Sequence, residues 1–311
     1  MPFQLPVEIT DFGTGVPGVT NRSVIEQFST ADILRAAVVA GHGIGGRQVD
    51  WRIQAWRIAS IRLALDLPAQ SSSSPSPIAH PRAWQRLDPS EKASINNLLG
   101  NTITKLLCER LLDAPRTWFL DLYRSRFSAD LVGVKRPDFF TQTSSGQWLS
   151  LEAKGRSNRP SAASLSSAKA QANALRRING ADVAAHIVCW TMARGSNLCA
   201  RFHDPVPGGQ GEIDVETAEL VRDYYAPVHE IMKVSREEQH PSGVTLYRFD
   251  AGDFKIGLQP RVEVELRAGQ QRIKKSEYII DAPEDALTTV PALKYGPDGV
   301  VIVPGDSWPD E

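Results

Sequence analysis

Between Pro137 and Gly155 the chain allows few folds. Pro137–Thr143 and Gln147–Gly155 both read as strands, and the polar turn Ser144-Ser145-Gly146 joins them. Residues two apart in a strand share a face. Trp148, Ser150, Glu152 and Lys154 therefore point one way, and Leu149, Leu151 and Ala153 the other. The apolar set can bury against a helix while Glu152 and Lys154 stay together on the opposite face. If the arms pair antiparallel, Asp138 comes to the end of the hairpin that carries Glu152.

The flanking segments supply such helices. Asp88-Pro89-Ser90-Glu91 is a helix start, with Asp as N-cap, Pro at the first helical position and Glu reaching back. That helix is predicted to run to about Leu112, with Ile95, Leu98, Leu99, Ile103, Leu106, Leu107 and Leu111 as its apolar stripe. Thr117–Arg124 reads as a strand, Ala162–Ile178 as a helix stopped by Asn179-Gly180, and Ala184–Ala193 as a strand buried on both faces. The order from Asp88 to Ala193 is αβββαβ.

Upstream, helices are expected over Ser29–Ala40 and about Val49–Leu67, the second with Trp51 and Trp56 facing the core. Residues 1–23 read as irregular or short extended structure. Gly41–Gly46 is glycine-rich but lacks the Lys-Ser/Thr of a phosphate loop and follows a helix, so a plain connection is expected. Gln70–Pro81 is rich in Ser and Pro and reads as a linker. Downstream, a helix is expected over Asp214–Val234, a hairpin over Val244–Asp250 and Phe254–Glu265, and short strands at Tyr278–Ile280 and Gly299–Val303. Three regions result: a mainly helical 1–87, a core 88–200 and an α+β region 201–311.

Asp138 and Glu152 would repel each other unless a cation lay between them. Oxygen ligands favour Mg²⁺ or Mn²⁺. A metal to polarise a phosphoryl oxygen and a cation to stabilise developing charge are what phosphodiester hydrolysis needs. Lys154 could provide the second, and the backbone carbonyl of Ala153 a further ligand.

Arg136-Pro137-Asp138 followed by Glu152-Ala153-Lys154, within αβββαβ, resembles the PD-(D/E)xK nuclease superfamily, the restriction-endonuclease-like fold. The resemblance covers about Asp88–Ala200. It implies that Asp138, Glu152 and Lys154 match the family's metal ligands and catalytic lysine. Many members carry a glutamate on the first helix after a glycine. Here Gly100 precedes Asn101, so the remaining ligand is open between Asn101 and Glu109. Some members use a Gln or Lys on the helix after the lysine strand, where Lys169 and Gln171 lie. The expected activity is metal-dependent cleavage of DNA, and the residues do not select among restriction, repair and defence. The alternatives are an inactive nucleic-acid-binding module on the same fold and an α/β interaction protein with a chance motif.

Charge and composition fit these expectations. A net charge of −1 makes any nucleic-acid surface local. Lys154, Arg156, Arg159, Lys169, Arg176 and Arg177 form an acid-free run beside the motif, with Arg136 nearby. The three cysteines, Cys108, Cys189 and Cys199, have neither disulfide nor zinc spacing, so reduced thiols and a cytoplasmic location are expected. The start lacks a signal-peptide pattern and no apolar run approaches a membrane span. The flanking regions are expected to set substrate choice, homodimerisation or a protein contact. His186, at a strand start, is expected to be structural.

Overall fold

Phe3, Leu5, Val7 and Ile9 alternate with more exposed residues, and they build the strand β1 (Phe3–Thr10). β2 (Arg22–Phe28), α1 (Thr30–Val39), α2 (Trp51–Ala64) and the short β3 (Ser76–Pro77) follow. The middle of the chain forms α3 (Pro89–Leu111), β4 (Arg116–Phe119), β5 (Phe139–Gln142), β6 (Trp148–Arg156) and α4 (Ala162–Ala172). Next come β7 (Leu175–Ile178), β8 (Ala181–Asp182), β9 (Ala185–Arg194) and β10 (Asn197–His203). The last part comprises β11 (Gly211–Ile213), α5 (Thr217–Val234), β12 (Arg236–Gln239), β13 (Thr245–Phe249), β14 (Phe254–Leu258), α6 (Pro260–Gly269) and β15 (Val300–Pro304). The computed structural model describes residues 3–12, 16, 19–40, 50–66, 75–203, 209–269 and 293–308.

The fold is mixed α/β. Its main sheet has the order β2-β1-β10-β9-β6-β5-β4, with β3 beside β1. β6 runs parallel to β9, and β1 parallel to β10, while the remaining pairs along the sheet order are antiparallel. A smaller sheet, β12-β13-β14-β15, packs with α5 and α1. One apolar cluster runs through all three expected regions, from Leu5 and Leu34 through Leu151 and Ile187 to Tyr224 and Val300.

α3 begins as its sequence dictates. Asp88 accepts from the Ser90 and Glu91 N–H groups, and the Glu91 carboxylate returns a bond to the Asp88 N–H. Such a cap stabilises a helix by about 1 kcal/mol. α3 then lies directly on β6. A Cβ on Gly155 would meet the Asn96 carbonyl oxygen at 1.6 Å, and one on Gly100 would meet the Gly155 nitrogen at 2.6 Å. Only glycine permits this approach. α4 covers the other face, with Ala168 and Ala172 against Val188, Trp190 and Met192.

Several expectations need correction. The extended structure expected within residues 1–23 is longer than that and built into the main sheet, as β1 and β2. Trp56 faces solvent rather than the core. The second half of the expected linker is ordered: Ile78 is buried, β3 pairs with β1, and the Leu198 N–H donates to the Ile78 carbonyl. The strand at Thr117 ends at Phe119, and Leu120–Arg126 turns into a 3₁₀ helix. The helix from Ala162 ends at Ala172, so Arg176 and Arg177 lie on a strand. Asn179 (φ 53°) and Gly180 (φ 75°) form the tight turn that folds β7 onto β8, a geometry this dipeptide favours. The strand from Phe254 stops at Leu258, and a helix starts at Pro260, where the fixed proline φ suits a first turn. Gly41–Gly46 and Tyr278–Ile280 lie outside the described residues. No described helix is long and apolar enough to cross a membrane.

Candidate active site

The β5–β6 hairpin sets the site. Phe139 pairs with Leu151 and Gln142 with Trp148, so continuing the register places Asp138 opposite Glu152. Pro137 has no N–H to extend the ladder. Beyond Phe139 the side chains take over the pairing. The Asp138 N–H donates to Glu152 Oε2 at 3.1 Å, and the Ala153 N–H donates to Asp138 Oδ2 at 3.0 Å. On its other side the Asp138 carbonyl accepts from the Leu120 N–H at 2.9 Å. Asp138 is thus fixed between β4 and β6.

Glu152 has no exposed surface, and its Oε1 lies against the Lys154 ammonium. Ser150, on the same face, donates to the Ala172 carbonyl of α4 at 2.7 Å. Glu152 and Lys154 therefore lie on the α4 side of the sheet, as the alternation predicts. Burial, reinforced by the Asp138 charge, pushes the Glu152 pKa up to about 8. Burial also raises the Asp138 pKa, against the pull of Lys154. The two carboxyl groups thus bear on each other, and Lys154 opposes the rise at both.

Among the described residues no group of three or more His, Cys, Asp or Glu side chains is arranged to hold a metal ion. The donor set is two carboxylates and one backbone group. The N–H and C=O of a strand residue project toward the same edge. Ala153 turns its N–H to Asp138, so its carbonyl projects past the end of β5 on that side. Two hard carboxylate oxygens and a carbonyl suit Mg²⁺ or Mn²⁺, whose remaining positions water can fill.

α3 does not complete the site as expected. Asn101 is buried with an Oδ1 that has no hydrogen-bond partner among the described residues, which leaves its place in the site open as the sequence does. Glu109 is not brought to the carboxylate pair. It lies nine residues beyond Gly100, roughly 13 Å along the helix. Its carboxylate is held by Arg35 Nη1 and Nη2 at 2.5 and 2.7 Å and by Lys105 Nζ at 2.5 Å. Asp298 joins the same buried cluster, 3.0 Å from Arg35.

The expected basic contacts divide. Arg136 is taken up by Asp121, with Nε 2.6 Å from Oδ1, and its guanidinium lies over the Phe127 ring. Lys169 pairs with Asp11 at 3.1 Å. Gln171 is half-buried on α4 and makes no side-chain bond to either carboxylate. Arg156 and Arg159 are exposed. His186 is buried, with Nδ1 3.1 Å from the Ala172 carbonyl, and burial lowers its pKa, as befits a structural histidine. All three cysteines are buried free thiols.

Asp121 was not singled out by the sequence. It lines a cavity of about 240 Å³ with Phe119, Lys135, Arg136 and Asp138, and its charge adds to the upward push on the Asp138 pKa. An acid inside the aromatic run TWFLDLYR was the available signal, but the strand expected there gave it no role.

Compared with protein-family models, with curated proteins and with solved structures, the chain finds no match.

Proposed function

We propose that the chain is a metal-dependent nuclease of the restriction-endonuclease-like fold that hydrolyses phosphodiester bonds in DNA. The carrying observation is the carboxyl pair of a half-buried Asp138 and a buried Glu152, bound reciprocally through backbone N–H groups with Lys154 against Glu152. Two ionised carboxylates at this separation repel. Lys154 offsets part of that repulsion, and a proton or a bound cation would offset the rest. The succession α3-β4-β5-β6-α4-β9 supports the reading, with β7 and β8 inserted before the last strand.

When bound, Mg²⁺ or Mn²⁺ would polarise a phosphoryl oxygen and lower the pKa of a water. Asp138, Glu152 and the Ala153 carbonyl would hold it. The Ala153 N–H fixes the Asp138 carboxylate, so little reorientation is needed on binding. Lys154 retains some exposure beside a buried Glu152 and can neutralise charge developing on the phosphoryl group. Mixing the full-length protein with duplex DNA and Mg²⁺ or Mn²⁺ tests the proposal, with Asp138→Ala and Lys154→Ala as controls. Absence of metal-dependent cutting by the parent protein sinks it.

The second reading is a nucleic-acid-binding module without catalysis. It is favoured by α3, which offers no carboxylate to the pair. DNA binding without cleavage in either metal would select it.

A further inference from the structure

The acid-free run of the sequence is largely neutralised in the fold. Arg176 and Arg177 face Asp182, Arg177 also faces Glu212, and Lys169 faces Asp11. Arg156 and Arg159, the members of that run left without an acid among the described residues, gather with Arg194 where β6 meets the β9–β10 hairpin.

This hairpin closes tightly, with Arg194 paired to Asn197 around Gly195 (φ 66°) and Ser196. Val188, Trp190 and Met192 face α4. Arg194 is the next residue in the same alternation and leaves the sheet on that face. On β6, Lys154 and Arg156 leave on this face too, beside Trp190 and Met192. On β10, Cys199 sits opposite Met192 and Arg201 opposite Trp190. Arg159 arrives from the connection between β6 and α4. Burial raises the Cys199 pKa, against the charges of Arg194, Arg201 and Arg159. Arg201 is paired with Glu8 at 2.7 Å. Arg156, Arg159 and Arg194 are exposed and have no acid partner among the described residues.

Strand geometry gives the layout. Arg156 lies about 7 Å from Lys154 along β6, and Arg194 roughly 13 Å beyond the level of Lys154. The cations thus form a stripe leading from the carboxyl pair toward the tip of the β9–β10 hairpin. α4 covers Trp190 and Met192, so a polyanion passing along the exposed end of this face would meet the unpaired guanidinium groups of Arg156, Arg159 and Arg194, which favour phosphate.

We infer that Arg156, Arg159 and Arg194 form a track for the phosphate backbone of DNA on one side of the candidate cleavage site. The direction of the track rests on the nuclease reading. Its DNA contact does not require catalysis.

The test is binding of a fluorescent DNA duplex, and of its single strand, to the full-length protein in EDTA over a series of salt concentrations. Each neutralised duplex phosphate contributes about 0.9 to the slope of log affinity against log salt, and each single-strand phosphate about 0.7. Arg159→Gln and Arg194→Gln should each reduce the slope by about one, and the double variant by about two, uniformly across DNA sequences. Arg261→Gln, an exposed change on α6, should leave it unchanged. Wild-type slopes in both track variants, an equal loss with Arg261→Gln, or no DNA binding at low salt would overturn the inference. Cleavage with unchanged slopes would refute the track and leave the nuclease proposal standing. Arginine-dependent binding without cleavage in Mg²⁺ or Mn²⁺ would do the reverse. Unchanged thermal melting of the variants establishes that the fold is intact.

Discussion

The Asp138 backbone N–H donates to Glu152 Oε2 at 3.1 Å, so the first carboxylate residue of the site also binds the second through its main chain. Moving either residue disturbs both. Asp138→Asn and Glu152→Gln each keep the size of the side chain and remove a carboxyl group that could ligate a metal as an anion. Each should lower metal-dependent cleavage by at least 10²-fold, with Lys154→Met in the same range. Single-turnover cleavage of a labelled duplex measures this, and an activity within tenfold of wild type would refute the assignment.

Acidity provides a second prediction. An unfolded glutamate loses its proton near pH 4.5, whereas Glu152 in the fold keeps it to about 8. Between these values the native state binds one proton more than the unfolded state, so stability falls as pH rises. Thermal melts in EDTA should show the melting temperature falling from pH 5 to pH 8. Glu152→Gln should flatten that dependence. A flat profile for the wild type would remove the buried-acid argument.

Metal binding should follow the same proton. Uptake of Mn²⁺ below pH 8 should release close to one proton, because the cation replaces the proton held by the pair. Calorimetry in two buffers of different ionisation enthalpy gives the number. Tighter binding at lower pH would contradict it.

The contact between α3 and β6 is also testable. A methyl group at Gly155 would overlap the Asn96 carbonyl, and backbone cannot yield as a flexible side chain can. Gly155→Ala should cost about 1–3 kcal/mol in urea unfolding. It should also slow cleavage, because Lys154 is the preceding residue. Gly146→Ala, in open space at positive φ, is the comparison that strains a turn without touching the helix.

Glu109 separates stability from chemistry. Glu109→Gln leaves Arg35 and Lys105 short of a charge in a buried cluster, a loss of about 3 kcal/mol or more. Per folded molecule, Mn²⁺ affinity and cleavage should not change. A specific loss of metal binding would return Glu109 to the site.

The hairpin was legible in the sequence because period-two alternation and a short polar turn are local signals. That alone brings Asp138 to Glu152. α3 was legible through its capping box. Local signals fail where a distant partner decides. Leu175-Arg-Arg-Ile continues a helical pattern, yet Leu175 and Ile178 are buried as a strand because β11 lies beside them. Glu109 looked available because neither Arg35 nor Asp298 is near it in sequence. Asp121 was hidden by a strand that turns at Leu120. Arg194 became a neighbour of Arg156 only through the β6–β9 register.

The place of β1 beside β10 has a consequence for synthesis. Thr10 and His203 touch through their side chains across a separation of 193 residues. At 5–20 residues per second, the first strand leaves the ribosome roughly 10 to 40 s before its parallel partner exists. Through that interval β1 has β2 and, at Phe3 and Gln4, β3 for pairing, but the edge at Val7 and Ile9 still waits for β10. A nascent chain stalled before His203 therefore presents an apolar strand edge, the kind of surface that chaperones hold and that aggregates recruit.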